Sequence, residues 1–202
     1  MGAGRLDRVV TPAILYLHGF TSGPQSVKSM ALHAQMHRRG FGDRFTCPQL
    51  PASPAAAIAL AEDIIAAKVS RGETPTLVGS SLGGYYATYL AEKHGLKAVL
   101  VNPAVVARLT PASFVGPHAF IYTGEPFEFT WAHVEELRAL EMPALAHPER
   151  YWLLLETGDE TLDYRDAVVR YAGARQTVLE GGDHSFTRWN DYLDDIIRFA
   201  DL

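Results

Sequence analysis

One stretch limits the fold more than any other: Thr76-Leu-Val-Gly79-Ser80-Ser81-Leu82-Gly83-Gly84, where a short apolar run ends in G-x-S-x-G and passes at once into a helical run, Tyr85 to Lys93. The pattern requires strand, tight turn and helix in that order, with the central serine raised on the turn. Residues two before and two after that serine crowd together, so Gly79 and Gly83 have to lack side chains. The hydroxyl then stands clear at the carboxyl edge of a sheet, and the helix N-terminus behind it favours developing negative charge. Ser81 is therefore the candidate nucleophile and Ser80 its neighbour. Taken alone, the pentapeptide also suits a glycine-rich turn of some other α/β protein. Neither the G-x-G-x-x-G spacing of a dinucleotide loop nor the G-x-x-x-x-G-K-S/T spacing of a phosphate loop is present.

The rest of the chain repeats the same rhythm of short apolar runs and longer helical stretches, which is how parallel strands joined by crossover helices read. Six runs predict strands: Ala13–Leu17, Arg44–Cys47, Thr76–Val78, Ala98–Val101, Tyr151–Leu155 and Thr177–Leu179. Helices are predicted at about 26–38, 54–71, 82–94, 160–172 and 189–200, the second opening on Ser53-Pro54, a capping residue followed by a proline with no N–H to waste. These readings give an α/β fold with a mostly parallel six-stranded sheet and helices on both faces, in one domain spanning 1–202. About 103–150 breaks the rhythm and is expected to be a small cap insertion, with a helix over Thr130–Leu140 and prolines that oppose any long regular element. Its aromatic residues, Phe114, Phe120, Tyr122, Phe127, Phe129 and Trp131, could line a pocket or pack the cap onto the body.

A serine at such an elbow needs an oxyanion site, a base and an acid. His18-Gly19-Phe20 follows the first strand, so the expected N–H donors are those of Phe20 and Leu82, with Gly19 allowing close approach of the backbone. His18 either orients this loop or caps the strand, and a structural role is favoured because one base suffices. The base is His184 in Glu180-Gly-Gly-Asp-His-Ser-Phe186, after the last strand, where glycines let the loop reach over the sheet edge. Asp159 in Thr157-Gly-Asp-Glu160 is the acid chosen from topology, ahead of Glu160, Asp163 and Asp183.

Composition narrows the partners. A net charge of −5 with 20% charged residues lacks the basic footprint of a nucleic-acid binder. One cysteine, Cys47, allows no internal disulfide and no multi-thiolate metal site, which suits a reducing cytoplasm. His33 and His37 lack the glutamate of H-E-x-x-H, and His94, His118, His133 and His147 show no acidic or thiolate cluster, so neither a metal nor another cofactor is expected. No run approaches the roughly 20 apolar residues of a membrane span. The run Ala13–Leu17 is too short for a signal core, and Gly2 lacks the later Ser or Thr of a myristoylation signal.

Together these stretches resemble the YqiA-type esterases, a small bacterial α/β-hydrolase family, over nearly the whole chain after the first dozen residues. The resemblance is carried by Leu15-Tyr-Leu-His-Gly-Phe20, Pro48-Gln-Leu-Pro51, Val78 to Thr88, Val101-Asn-Pro-Ala104, Tyr122-Thr-Gly124, Thr157-Gly-Asp-Glu160, Arg175-Gln-Thr-Val178 and Glu180 to His184. It implies the α/β-hydrolase fold and a cytoplasmic esterase for short-chain esters, or for acyl-CoA thioesters, with Ser81, Asp159 and His184 as its triad. The N-terminus and details of the cap depart from the family, which leaves the acyl-chain preference open. Two other readings remain: a non-catalytic relative that uses the fold for binding, and an acyltransferase or peptidase on the same three residues. Oligomeric state is not legible in the sequence.

Overall fold

Successive strand residues face opposite sides of a sheet, so a strand buried on both faces has to be apolar throughout. Ala98-Val-Leu-Val101 and Tyr151-Trp-Leu-Leu-Leu155 meet that condition, and all nine residues are buried. The computed structural model describes residues 10–110, 112 and 114–202. The basic N-terminal stretch with Gly2, and Pro111 of the proline-rich segment, lie outside the described residues.

The body begins β1 (Thr11–Leu17), α1 (Val27–Arg38), β2 (Phe45–Thr46), α2 (Pro54–Ser70), β3 (Glu73–Ser80), α3 (Leu82–His94) and β4 (Ala98–Val101). Within the predicted cap come β5 (Gly116–Ala119), β6 (Pro126–Phe129) and α4 (Trp131–Ala139). The chain then returns through β7 (Tyr151–Glu156), α5 (Tyr164–Arg170), β8 (Arg175–Leu179) and α6 (Leu193–Phe199). Six strands pair in the order β2-β1-β3-β4-β7-β8, every pair parallel. This is the sheet expected from the six apolar runs.

The alternation sorts the core into two layers. Leu15, Leu17, Leu77, Leu100, Leu153 and Leu155 pack against α2, α3 and α5. Ile14, Tyr16, Val78, Val99, Val101, Trp152 and Leu154 pack against α1 and α6. Leu32 and Met36 of α1 and Ile196 and Ile197 of α6 close that second face.

Departures from the expected boundaries have local causes. β3 starts at Glu73 because Glu73, Thr74 and Pro75 pair with Thr11, Pro12 and Ala13, which their polar or proline character concealed. The helix expected from 160 starts at Tyr164, because Asp159 Oδ1 accepts the N–H groups of Thr161 and Leu162, both at 2.8 Å, and holds that segment in a turn. Asp163 then caps the helix through Arg165 N–H at 3.0 Å. The helix expected over 189–200 splits into a 3₁₀ turn, Trp189–Tyr192, and α6.

The β5–β6 ribbon was not anticipated, since Pro117 and Pro126 fall within its strands. In a two-stranded ribbon each strand keeps a free edge, where a missing N–H costs no ladder bond. Behind it α4 sits on Thr130, with Thr130 N–H donating to His133 Nδ1 at 3.2 Å in a capping box. Polar contacts fasten the cap to the body. Tyr85 Oη donates to the Leu137 carbonyl at 2.7 Å, the Glu136 carboxylate accepts from Ser53 Oγ at 2.8 Å and Ala55 N–H at 3.0 Å, and Ile121 N–H donates to the Thr21 carbonyl at 2.8 Å. Among the described residues no helix is long and apolar enough to cross a membrane.

Leu100→Ala, at a fully buried position in the middle of the sheet, is expected to cost about 2–5 kcal/mol in urea unfolding. Val69→Ala on the exposed face of α2 should stay within about 0.5 kcal/mol of the parent by the same measurement.

Candidate active site

The turn between β3 and α3 forces Ser81 to φ 54° and ψ −121°, a region that a side chain rarely enters. Two glycines make this turn possible. A Cβ on Gly79 would fall on the Gly83 carbonyl, and one on Gly83 would fall on the Leu17 carbonyl of β1. Backbone bonds then staple the turn: Ser81 N–H donates to the Val101 carbonyl at 3.0 Å, and the Ser81 carbonyl accepts from Gly84 at 2.9 Å and Ala104 at 3.0 Å.

Ser81 Oγ lies 3.1 Å from His184 Nε2, and His184 Nδ1 lies 2.8 Å from Asp159 Oδ2. The Asp159 side chain is 2% exposed and that of His184 is 23% exposed, so the carboxylate is sealed in while one edge of the imidazole faces the solvent-filled cleft. Such an array can draw a proton from the hydroxyl, with the carboxylate holding the imidazole in the tautomer that has its hydrogen on Nδ1. The other acids near this loop are engaged elsewhere. Glu160 Oε2 accepts the His184 backbone N–H at 3.0 Å, Asp163 caps α5 and pairs with Arg165, and Asp183 Oδ1 accepts Ser185 N–H at 2.8 Å.

The histidine loop rests on residues that the sequence reading did not single out. Glu156, at the end of β7 and wholly buried, accepts from Asp183 N–H at 2.9 Å, Thr187 N–H at 2.9 Å, Thr187 Oγ1 at 3.0 Å and Arg188 Nε at 2.8 Å. Burial alone would push this carboxyl up. The Arg188 guanidinium and the N–H groups of Asp183 and Thr187 outweigh it and hold the pKa at about 2. Asn102 follows β4 at φ 39°, accepts the Glu156 N–H at 3.0 Å, and donates to the Asp183 and His184 carbonyls at 3.1 and 3.2 Å. A buried Glu at a strand end and an Asn after a strand were the available signals, but their partners lie in loops remote in sequence. Gly158 belongs to the same joint, since a Cβ there would strike the Gly182 carbonyl.

On the other side of Ser81, the loop after β1 carries Gly19 and Phe20. Among the described residues no protein acceptor takes the Phe20 N–H or that of Leu82, the first residue of α3. A Cβ on Gly19 would touch Ser81 Cβ at 3.4 Å. His18 is buried with both ring nitrogens occupied: Nε2 accepts the Leu50 N–H at 3.0 Å, and Nδ1 donates to the Gly19 carbonyl at 3.0 Å. Burial pushes its pKa down against the pull of that carbonyl, so the ring is a neutral strut between the Gly19 loop and Leu50.

A cleft of about 580 Å³ opens at this point. Ser81, His184 and Phe20 line it, Phe114, Ile121 and Tyr122 border it from the cap, and Ser22, Ser26 and Lys28 from α1 and the loop before it. Of the cap aromatics, Phe114, Phe127 and Phe129 stand edge-on around the Phe20 ring at 5.2 to 5.9 Å, whereas Trp131 is exposed. A second, apolar cavity of about 370 Å³ is lined by cap residues, with Phe114 common to both. Among the described residues no three His, Cys, Asp or Glu side chains are grouped as metal ligands. His33 is exposed and stacks on Phe45 at 4.9 Å, His133 serves the α4 cap, and His94 and His147 lie beside Glu62 and Glu149.

A strained serine turn between a central parallel strand and its helix, with histidine and acid on later loops of the same sheet edge, defines the α/β-hydrolase fold. Solved structures agree. The chain is similar to tomato Methylketone Synthase I at 13% identity and TM-score 0.70, covering 95% of this chain and 98% of that one. It is similar to mouse Alpha/beta hydrolase domain-containing protein 10 at 17% identity and TM-score 0.65, covering 93% and 90%. With Est1E from Butyrivibrio proteoclasticus the figures are 15%, 0.61, 94% and 87%. At these identities the likeness is one of fold. Within that fold the chain belongs to the uncharacterised protein family UPF0227, the YqiA family, which matches residues 13–201.

A buried carboxylate held at about 2, against 4.5 ordinarily, makes stability depend on acid in a definite direction. Because the folded value is depressed, the stabilisation, on the order of 3 kcal/mol, is present above the ordinary carboxylate value and lost as pH falls toward the folded one. Glu156→Gln should unfold more easily at neutral pH in urea and show a shallower loss of stability between pH 4.5 and about 2. An unchanged acid slope would contradict the role given to this carboxylate.

Proposed function

We propose that the protein is a serine hydrolase that cleaves small carboxylic esters, thioesters included, through an acyl-enzyme. The observation that carries this reading is the approach of Ser81 Oγ to His184 Nε2 at 3.1 Å, with Asp159 at 2.8 Å behind the imidazole. His184 takes the hydroxyl proton as Ser81 Oγ bonds to the carbonyl carbon, and the carbonyl oxygen becomes an oxyanion beside the Phe20 and Leu82 N–H groups. Collapse of this intermediate breaks the bond to the alcohol or thiol, which leaves with the proton from His184. Water, deprotonated by the same imidazole, then attacks the acyl-enzyme and frees the acid and Ser81. Asp159 stabilises the imidazolium at both stages.

The strained Ser81 backbone supports the reading, because about 1–3 kcal/mol of strain persists only where the surrounding structure enforces it, and such strain clusters at functional sites. The cleft is open enough for a small ester and is bordered by aromatic and aliphatic side chains that suit an acyl or aryl group. A binding protein on the same fold would not need a hydroxyl, an imidazole and a carboxylate in line.

Ser81→Ala is expected to lower kcat on a chromogenic short-chain ester by at least about 10⁴-fold, and Asp159→Asn by roughly 10⁴-fold through the wrong imidazole tautomer. Circular dichroism should show both variants folded. A fluorophosphonate probe should label the wild type and not Ser81→Ala. Full turnover in the Ser81 variant, or a folded wild type that the probe never labels, rejects the proposal.

A further inference from the structure

Among the described residues Lys28 is the one Lys or Arg bordering the cleft, and no Asp or Glu borders it. Its Nζ donates to the Ser185 carbonyl at 2.7 Å, and among the described residues no carboxylate lies within ion-pair distance of it. An ammonium has three N–H donors, so two remain beyond this contact. The other three lysines are each paired with a carboxylate, Lys68 with Glu73, Lys93 with Glu62 and Lys97 with Asp201.

The position is enforced. Lys28 lies in the first turn of α1, and its own carbonyl accepts Trp189 Nε1–H at 2.9 Å, so the 3₁₀ turn before α6 pins the backbone that carries it. Partial burial pushes the ammonium's pKa down, against the more distant attraction of Asp183, Glu156 and Asp159. A cation partly stripped of water and facing a neutral oxygen is an unfavourable arrangement until an anion completes it. The chain as a whole carries −5, yet among the described residues the lining of this cleft holds one cation and no acid, with Asp159, Asp183 and Glu156 set behind that lining.

We propose that Lys28 determines specificity, and that the preferred substrates are esters carrying an anionic group, a carboxylate or a phosphate, which Nζ binds while Ser81 reaches the carbonyl. This rests on the hydrolase reading above and narrows its substrate class. Ile121, Tyr122 and Phe114 on the opposite wall cover the hydrocarbon part of such a molecule.

Two matched pairs of esters test it. Para-nitrophenyl hydrogen adipate against para-nitrophenyl adipamate places the charge on the acyl side, and para-carboxyphenyl butyrate against its para-carbamoyl analogue places it on the alcohol side. The wild type should favour the anionic member of at least one pair. In Lys28→Met the anionic-to-neutral ratio of kcat/KM for that pair should fall roughly 10- to 100-fold, mostly through KM, as expected for one charge-assisted contact. Lys28→Arg should keep most of the preference. The pair that responds tells on which side of the scissile bond the anion sits.

A Lys28 that merely braces Ser185 would lower both members of a pair together, leaving the ratio unchanged, and that result overturns the proposal. So does a wild type with no anionic preference in either pair, which is readable even if a variant fails to fold. Turnover of the neutral esters that disappears in Ser81→Ala leaves the hydrolase reading standing through either failure. Absence of Ser81-dependent turnover across the whole panel removes the hydrolase reading and this inference with it.

Discussion

The close approach of α3 to β1 governs the molecule. Gly83 comes against the Leu17 carbonyl and Gly79 against Gly83, and no side chain larger than hydrogen fits at either place. This contact drives Ser81 into its strained backbone, lifts its hydroxyl above the sheet and leaves the first N–H of α3 beside it. The cost of that strain is borne by the layers on either side of the sheet, where the central strands β4 and β7 are buried along their whole length.

A strained serine is useful only if its partners are held equally well, and here the polar joint around Glu156 does that work. The carboxylate gathers Asp183, Thr187 and Arg188, while Asn102 ties the same loop back to the end of β4. Desolvating a carboxylate is costly, and the arrangement is favourable because every direction around it carries a donor, one of them charged. The imidazole of His184 is thereby set from below by backbone bonds and from the side by Asp159. Gly158 and Gly182 let these two loops touch.

The cap contributes the rim. Its aromatic rings close around Phe20, whose backbone N–H belongs to the proposed oxyanion site, so packing of the β5–β6 ribbon and placement of that donor are one problem. The other rim, from α1, is polar and cationic. Opposite the apolar wall stands an ammonium that has no carboxylate partner among the described residues, and the substrate proposed above would match that asymmetry. Polar contacts through Tyr85, Glu136 and Thr21 keep the two rims in register with the sheet.

Strands, helices and the serine elbow were legible in the sequence because each is a property of neighbouring residues: apolar periodicity, a capping Ser53-Pro54, glycines at fixed offsets from Ser81. Ser81, His184 and Asp159 could be nominated from the same local signals and the order in which they follow their strands. The ribbon in the cap was not legible, since its prolines obey the rule for sheet edges, and edges exist only in a folded arrangement. Nor was it legible which acid meets the His184 imidazole, or what Glu156, Asn102 and Lys28 contact. Those depend on which groups meet across the chain, Glu156 with Asp183 27 residues on and Lys28 with Ser185 157 residues on. Sequence encodes the conformations a segment prefers. Which buried charge finds a partner, and which is left facing an open cleft, is decided when the chain closes on itself and water is excluded.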